Sequence, residues 1–427
     1  MKSHWKHLDF DRTAKVVIYP AQSVAGYGHI YAFGRSGVDV VALSDHDCGN
    51  FSSRYAKETH VVPDPAKDMD GFIAWLIEYG KRQKHKSVLI LAEDLYAYAG
   101  SLFQEELKPF YLYPWLPLDV LDTYFNKRSM FRNAELAGLA QPRTLFAPVS
   151  SADIEGWHDY PAVIKPTVSR FTFVGRTLVD TIKFPRLFGG KAVAAGDERE
   201  LRRYCLRMQR EGIDYCVQRF IPGRDDNLVM VGFVADRDRT IPATFMYRKF
   251  RQHPADFGTV TVGAADYVPE LYHLTERYCR QTSYAGPGTI EFKWDKESRQ
   301  WVFIEINPRL GLCHSMAVYN GLNLALQQYL LSTGQELIQM ERAPGTKYWI
   351  DILADVDGLR WRQERPEWRV SWRAIMKPYF YFDEAVFNWG DPLPGFRRIV
   401  SKWSMGRLFR ASSRQLSKRS RRRVPRS

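Results

Sequence analysis

Short runs of consecutive apolar residues open the chain and alternate with segments of helical period. Val16-Val17-Ile18-Tyr19, within Ala14 to Pro20, is a buried-strand run; small residues ending at Gly26-Tyr27-Gly28 follow it, then a helix through Gly34. Val38 to Leu43 reads as a second strand and Val61-Val62-Pro63 as the start of a third. Phe72 to Gln83 reads as an amphipathic helix, and Val88 to Ala92 as a further strand ending at Glu93-Asp94. Strands alternating with helices predict a parallel sheet in an α/β domain. Gly26-Tyr27-Gly28 lacks the full dinucleotide-binding spacing, so it reads as a tight βα turn rather than a nucleotide cradle.

Later in the chain the period changes to two. In Thr289-Ile290-Glu291-Phe292-Lys293-Trp294 and Trp301-Val302-Phe303-Ile304-Glu305-Ile306-Asn307-Pro308-Arg309, the even positions Ile290, Phe292, Trp294, Val302, Ile304 and Ile306 form one apolar face of a β-hairpin. The odd positions take the other face. A turn from Asp295 to Gln300 centred near Ser298 sets Glu291 directly across from Glu305, a like-charge pair that destabilises a sheet unless a cation lies between. Two carboxylates and the Asn307 amide are hard oxygen donors suited to Mg²⁺, with Mn²⁺ as a substitute. Arg309 adds a planar fork fitted to phosphate or carboxylate. The bland alternative is an exposed hairpin with solvated charges.

Glu291, Glu305, Asn307 and Arg309, in the string Glu-Phe, spacer, Phe-Ile-Glu-Ile-Asn-Pro-Arg, resemble the metal-binding hairpin of the ATP-grasp superfamily, which includes biotin carboxylase and D-alanine-D-alanine ligase. The order of segments most resembles the predicted carboxylate-amine ligases and the D-aspartate ligases. That resemblance implies a Rossmann-like domain ahead of an ATP-grasp fold, in which two antiparallel sheets enclose ATP. It implies phosphorylation of a carboxylate to an acyl phosphate that an amine attacks, with Glu291, Glu305 and Asn307 as magnesium ligands and Arg309 on the transferred phosphate.

Further segments fit the same resemblance. Asn126-Lys127 opens a helix ending near Gly138, like the family's entry into the nucleotide site, where that lysine reaches the phosphates. In Tyr160-Pro161-Ala162-Val163-Ile164-Lys165-Pro166 an apolar strand delivers Lys165, whose compact ammonium can neutralise phosphate oxygens, and the string matches the superfamily's phosphate-binding strand. Thr167 to Lys191 replaces the usual glycine-rich lid with a longer segment holding Gly175 and a late Gly189-Gly190, and Lys191 can still approach phosphate. Tyr215 to Gly223 resembles the adenine-binding hinge, which would use the main chain of Arg219 and Ile221 and the side chain of Gln218; Asp225 or Asp226 would accept the ribose hydroxyls.

Tyr247-Arg248-Lys249-Phe250-Arg251-Gln252-His253-Pro254 resembles a basic segment of the carboxylate-amine ligases, with Arg251 chosen as the clamp for the substrate carboxylate. Glu93 and Asp94 end a strand, where open α/β sheets place ligands, and are candidates for the amine partner or for helix capping. His314, in the turn Gly311 to Ser315, reads as a packed or capping residue before a catalytic one. Ser315 to Leu331 reads as one helix and Tyr348 to Leu353 as a strand; the aromatic stretch to Trp389 is expected to pack back on the core.

At 427 residues, two or three domains are expected. The boundaries read as 1–122 for the Rossmann-like domain, 123–220 for the small nucleotide-binding subdomain with its lid, 221–400 for the metal and substrate subdomain, and 401–427 for a basic, disordered tail. No apolar run approaches the ~20 residues of a membrane span, and the start lacks a signal-peptide pattern, which together predict a cytoplasmic protein. The five cysteines are odd in number, widely spaced and without a Cys-x-x-Cys pair, so buried free thiols are expected. The net charge of +13 falls to +3 once the ten Lys and Arg of 401–427 are set aside, which speaks against specific nucleic-acid binding by the body. Within that tail, loosely helical apolar residues among basic ones suggest peripheral contact with an anionic membrane. A noncatalytic ATP-binding regulator and a nucleic-acid or membrane-surface protein acting through the tail are the alternatives to a ligase. The partners expected are small-molecule carboxylates and amines; the oligomeric state is not legible.

Overall fold

The computed structural model describes residues 4–168, 171–174, 176–180, 183–340, 347–365 and 368–402. The first sheet is built from the buried runs β1 (Val16–Tyr19), β2 (Val40–Ser44), β3 (Ala56–Val61), β4 (Ser87–Leu91) and β5 (Tyr111–Leu112). They pair in parallel in the order β3-β2-β1-β4-β5, because each crossover returns the chain to the same end of the sheet. Val61-Val62-Pro63 ends β3 rather than starting it; Pro63 has no N–H to continue a ladder. The helix Met69–Lys81, capped by Asp68, stands where Phe72 to Gln83 was expected.

Gly26 and Gly28 are not in a turn. Ser23 caps the helix Val24–Ser36 by accepting from the Gly26 N–H, so both glycines fall in its first turns. Their smallness serves packing: a Cβ on Gly26 would lie 2.1 Å from the Pro20 carbonyl oxygen, and one on Gly28 would lie 2.7 Å from the His314 ring.

The next part is a four-stranded antiparallel sheet with order β10-β7-β11-β6, formed by β6 (Thr144–Phe146), β7 (Ala162–Pro166), β10 (Val193–Ala195) and β11 (Tyr215–Arg219). Between β7 and β10 the expected lid folds as the hairpin β8 (Phe171–Val174) and β9 (Thr177–Asp180), followed by a helix Lys183–Phe188. Ser169, Arg170 and Gly175 of the lid lie outside the described residues, as do residues 403–427 of the tail.

The third sheet has seven strands in the order β16-β15-β12-β13-β14-β17-β18. They are β12 (Leu228–Ala235), β13 (Thr244–His253), β14 (Thr259–Asp266), β15 (Gly286–Asp295), β16 (Gln300–Asn307), β17 (Tyr348–Ile350) and β18 (Phe382–Glu384). One face of it, with Ile290, Phe292, Phe303 and Ile306, packs on Phe131 and Tyr278. The other carries Met230, Phe245 and Tyr247 into a core shared with Tyr27 and Ile30 of the first domain.

Three expectations for the last quarter change. Ser315 to Leu331 is two helices, His314–Tyr319 and Leu324–Ser332, because Gly321 adopts a left-handed backbone (φ 81°) and Asn323 caps the second helix. After β17 the chain turns into the helix Ile352–Gln363, capped by Asp351. The aromatic stretch packs back only in part: Ile375, Ala385 and Val386 are buried, whereas Trp372, Phe380 and Trp389 stand in solvent. No helix among the described residues is long and apolar enough to cross a membrane.

Candidate nucleotide and metal site

The β15–β16 register pairs Thr289 with Asn307, Ile290 with Ile306 and Glu291 with Glu305. Paired residues share a face, so the two glutamates confront each other as the alternation predicts. Beyond them a bulge at Ile304 shifts the pairing, so that Phe292 meets Phe303 and Lys293 meets Val302. The expected apolar face is corrected accordingly: Phe303 and Trp301 are buried in the core, Ile304 is half-buried, and Val302 lies beside Lys293 on the site face.

A side chain supplies the cation that the glutamates require. Lys249 Nζ, from β13, donates to Glu291 Oε2 at 2.7 Å, and the pair is almost fully buried. Burial alone would lower the Lys249 pKa, but Glu291, and after it Glu305, hold it above the ordinary lysine value. For Glu305, burial pushes the carboxyl up, yet Lys249, Lys127, Lys191 and Lys165 together bring it down to about 2. Lys127 opens the helix Lys127–Leu136, Lys165 lies in β7, and Lys191 precedes β10. Elements of the small and large sheets therefore converge electrostatically on one carboxylate.

Lys127 is itself buried, and burial followed by repulsion from Lys165 lowers its pKa to about 8. Its backbone N–H donates to the Thr167 carbonyl at 2.9 Å, which ties the helix start to the end of β7. Lys191 Nζ donates to Thr259 Oγ1 of β14 at 3.5 Å, so the lid side of the small sheet reaches across to the large one. Arg309 Nε donates to Asp94 Oδ1 at 2.5 Å. Asp94 starts the helix that follows β4, so the parallel domain touches the site at the end of a central strand, with Glu93 exposed beside it.

At the expected hinge, Gln218 is buried and its Nε2 donates to Thr144 Oγ1 at 2.9 Å. The Arg219 N–H donates to the Arg143 carbonyl at 2.9 Å, and its guanidinium reaches Asp295, 2.8 Å away, and Glu297. Ile221 is buried. Lys293 Nζ lies 4.7 Å from the centre of the Phe220 ring, which places a second hairpin lysine against the hinge. Asp225 is buried and accepts from Gln252 Nε2 at 3.0 Å and from Arg362, so its role is structural; Asp226 is accessible.

Arg251 requires correction. Its Nε and Nη2 donate to the two oxygens of Asp355 at 2.9 and 2.7 Å, and Nη1 donates to the Ala374 carbonyl at 3.0 Å. The cause is a bulge: Lys249 pairs with Gly263 but Arg251 with Val262, so the two basic residues project to opposite faces of the sheet. Lys249 faces the site, and Arg251 is buried under the helix Ile352–Gln363. Lys249 and Lys293 are the site residues that sequence reasoning passed over; the alternation within Tyr247 to Pro254 allowed either basic residue. His314 is packed, its ring centre 4.1 Å from that of His29, and burial pulls its pKa down to about 4.

Among the described residues no three His, Cys, Asp or Glu side chains cluster as a metal site. Two opposed carboxylates with the Asn307 amide beside them, its Nδ2 donating to Glu305 at 3.5 Å, are nonetheless a hard-oxygen set of the kind Mg²⁺ takes, the remaining positions being left to phosphate and water. The chemistry of this donor set fits the ion, with Lys249 then sharing Glu291.

Residues 264–340 match the family model described as "Carbamoyl-phosphate synthase L chain, ATP binding domain". The chain is 26% identical over 294 residues to the D-aspartate ligase of Enterococcus faecium (strain Aus0004); the match covers 64% of this chain and 66% of that protein, just under two thirds of its length. The fold is similar to the crystal structure of L-amino acid ligase from Bacillus licheniformis (TM-score 0.55, 15% identity, 76% of this chain and 75% of that one). It is also similar to N5-carboxyaminoimidazole synthetase from Staphylococcus aureus (TM-score 0.59, 15% identity, 84% and 89%). With a parallel domain, two largely antiparallel sheets and lysines from both converging on the β15–β16 hairpin, the chain shares the fold of these ligases.

Proposed function

We propose that this protein is an ATP- and Mg²⁺-dependent ligase that activates a carboxylate as an acyl phosphate and joins it to an amine. The observation that carries the reading is Glu305, opposed by Glu291 and surrounded by lysines from both sheets. A ring of ammonium groups around acidic metal donors is what a polyphosphate with its cation requires, and two of these lysines, Lys127 and Lys249, are buried. Glu291, Glu305 and Asn307 would hold Mg²⁺, or Mn²⁺ in its place, which when bound neutralises phosphate charge. Lys127, Lys165 and Lys191 neutralise phosphate oxygens, while Lys249 pairs with Glu291 beside them.

Arg309 faces developing negative charge with its orientation set by Asp94, and Glu93 beside it is accessible to an amine. Gln218, Arg219 and Ile221 line the hinge proposed for the adenine, with Asp226 for the ribose. The hairpin β8–β9 is the segment proposed to exclude water, which matters because an activated carboxylate hydrolyses when water reaches it. D-aspartate ligase and L-amino acid ligase as relatives favour an amino acid as one substrate. Five buried, unpaired cysteines accord with a reducing, cytoplasmic setting.

The test is ADP release with pooled carboxylates and amines, followed by mass spectrometry of the product. A carboxylate- and amine-dependent burst of ADP with formation of an amide is the expected result. ATP binding with no ADP under any substrate pair would instead assign the protein as a regulator.

A further inference from the structure

Segment 372–402 presents apolar side chains to solvent from an anchored scaffold. Trp372, Phe380 and Trp389 are 73, 82 and 86% exposed, and Leu393, Phe396 and Val400 are exposed as well. Single exposed apolar residues are ordinary, but this density on one segment of about thirty residues is not. Phe387 ties the group together, its ring centre 5.1 Å from that of Trp389 and 5.4 Å from that of Phe396. Over 393–402 the chain is helical, so Leu393, Phe396 and Val400, spaced by three and four residues, form one outward stripe.

The scaffold beneath is fixed. Asp391 is buried and accepts from Tyr27 Oη at 3.2 Å, from Ser53 Oγ at 2.5 Å and from the Arg54 N–H at 2.9 Å. Arg398 Nη2 donates to Asp351 Oδ2 at 2.8 Å. The apolar residues are therefore held outward by bonds to the first domain and to the large sheet.

Charge identifies what the face suits. From Pro392 through Ser427 the sequence holds twelve Lys and Arg and no Asp or Glu. Aromatic side chains, an apolar helical stripe and a uniformly basic run together complement an anionic lipid surface, where rings enter the headgroup layer and ammonium and guanidinium groups meet lipid phosphates. A nucleic acid would satisfy the charge and leave the apolar stripe in water. We propose that segment 372–402 docks this protein on an anionic membrane surface through Trp389, Phe396 and their neighbours. The assignment stands independently of the ligase reading.

The experiment is co-sedimentation of the full chain with phosphatidylcholine vesicles, with and without about 30% phosphatidylserine. Expected are binding to the anionic vesicles only, weakening as salt rises from about 0.1 to 0.5 M, and at least a tenfold loss of binding in Trp389→Ser/Phe396→Ser with an unchanged circular dichroism spectrum and melting curve. Should the double variant fold poorly, Val400→Glu places a carboxylate at a solvent position of the same stripe, with the same loss expected. Absence of vesicle binding by the full chain, or equal binding by the folded variants, overturns the proposal. So does RNA binding without vesicle binding, or a dimer that the variants dissociate and that binds no vesicles.

Discussion

Lys249 and Glu291 form a buried ion pair across the face of the large sheet, their side chains reaching over β12 from β13 and β15 to meet at 2.7 Å. Removing one member leaves the other charged and desolvated, which typically costs about 3–5 kcal/mol, whereas removing both leaves neither charge exposed to that penalty. Lys249→Met should therefore lower the unfolding free energy by roughly 3 kcal/mol, and adding Glu291→Met should recover most of it without restoring nucleotide binding. Urea denaturation of the three variants checks this; additive losses in the double variant would contradict the pairing.

Burial pushes the Glu305 carboxyl up, but the surrounding lysines bring its pKa down to about 2, so it is ionised at neutral pH. Glu305→Gln keeps the shape and deletes the charge. ADP release should fall at least about a hundredfold, the scale seen when one preorganised electrostatic group is removed, while unfolding stays cooperative. An ADP rate near wild type in a folded Glu305→Gln chain would count against the site.

Lys127 predicts a pH signature of definite sign. Its folded pKa, about 8, lies below the ordinary lysine value of 10.5. Between these values the unfolded chain holds a proton that the folded chain has lost, so the Lys127 contribution to stability rises with pH across that window. Phosphate binding needs the charged form, so nucleotide affinity should fall as pH rises through 8. Calorimetric titration between pH 7 and 9.5 should show proton uptake on binding at the upper end, absent in Lys127→Met.

Arg251 separates a structural from a substrate role. With its guanidinium held by Asp355 and the Ala374 carbonyl, Arg251→Met should destabilise by about 3–5 kcal/mol. At a temperature where the variant is folded, KM for the carboxylate should be unchanged. A raised KM with unchanged stability would return Arg251 to the site.

Gly28 and His314 meet at the interface between the first domain and the large sheet. A Cβ at residue 28 would lie 2.7 Å from His314 Cε1 and 2.8 Å from Nε2, so Gly28→Ala should cost about 1–3 kcal/mol. Pairing it with His314→Ala should remove much of that cost, giving a non-additive cycle in thermal unfolding. Additivity would show that the two residues do not touch.

Local patterning carried the parts of this protein whose geometry is local. Buried apolar runs at Val16, Val40 and Val88 sufficed for the parallel strands, and a period of two sufficed to oppose Glu291 and Glu305, since side-chain direction in a strand follows from chain geometry alone. The apolar run of Tyr160 to Pro166 likewise forms a strand, β7, with Lys165 near its end. Sequence could not show the bulges at Ile304 and beside Phe250, each one extra residue that reverses every side chain beyond it, and so alternation put Arg251 on the same face as Lys249. Nor could it show that Asp94 reaches Arg309 or that Asp391 anchors an exposed aromatic face, because those contacts join residues more than two hundred positions apart. The sequence determined strands and their facing charges; only the tertiary structure decided which basic side chain meets which acid, because that depends on register and on how separate sheets are brought together.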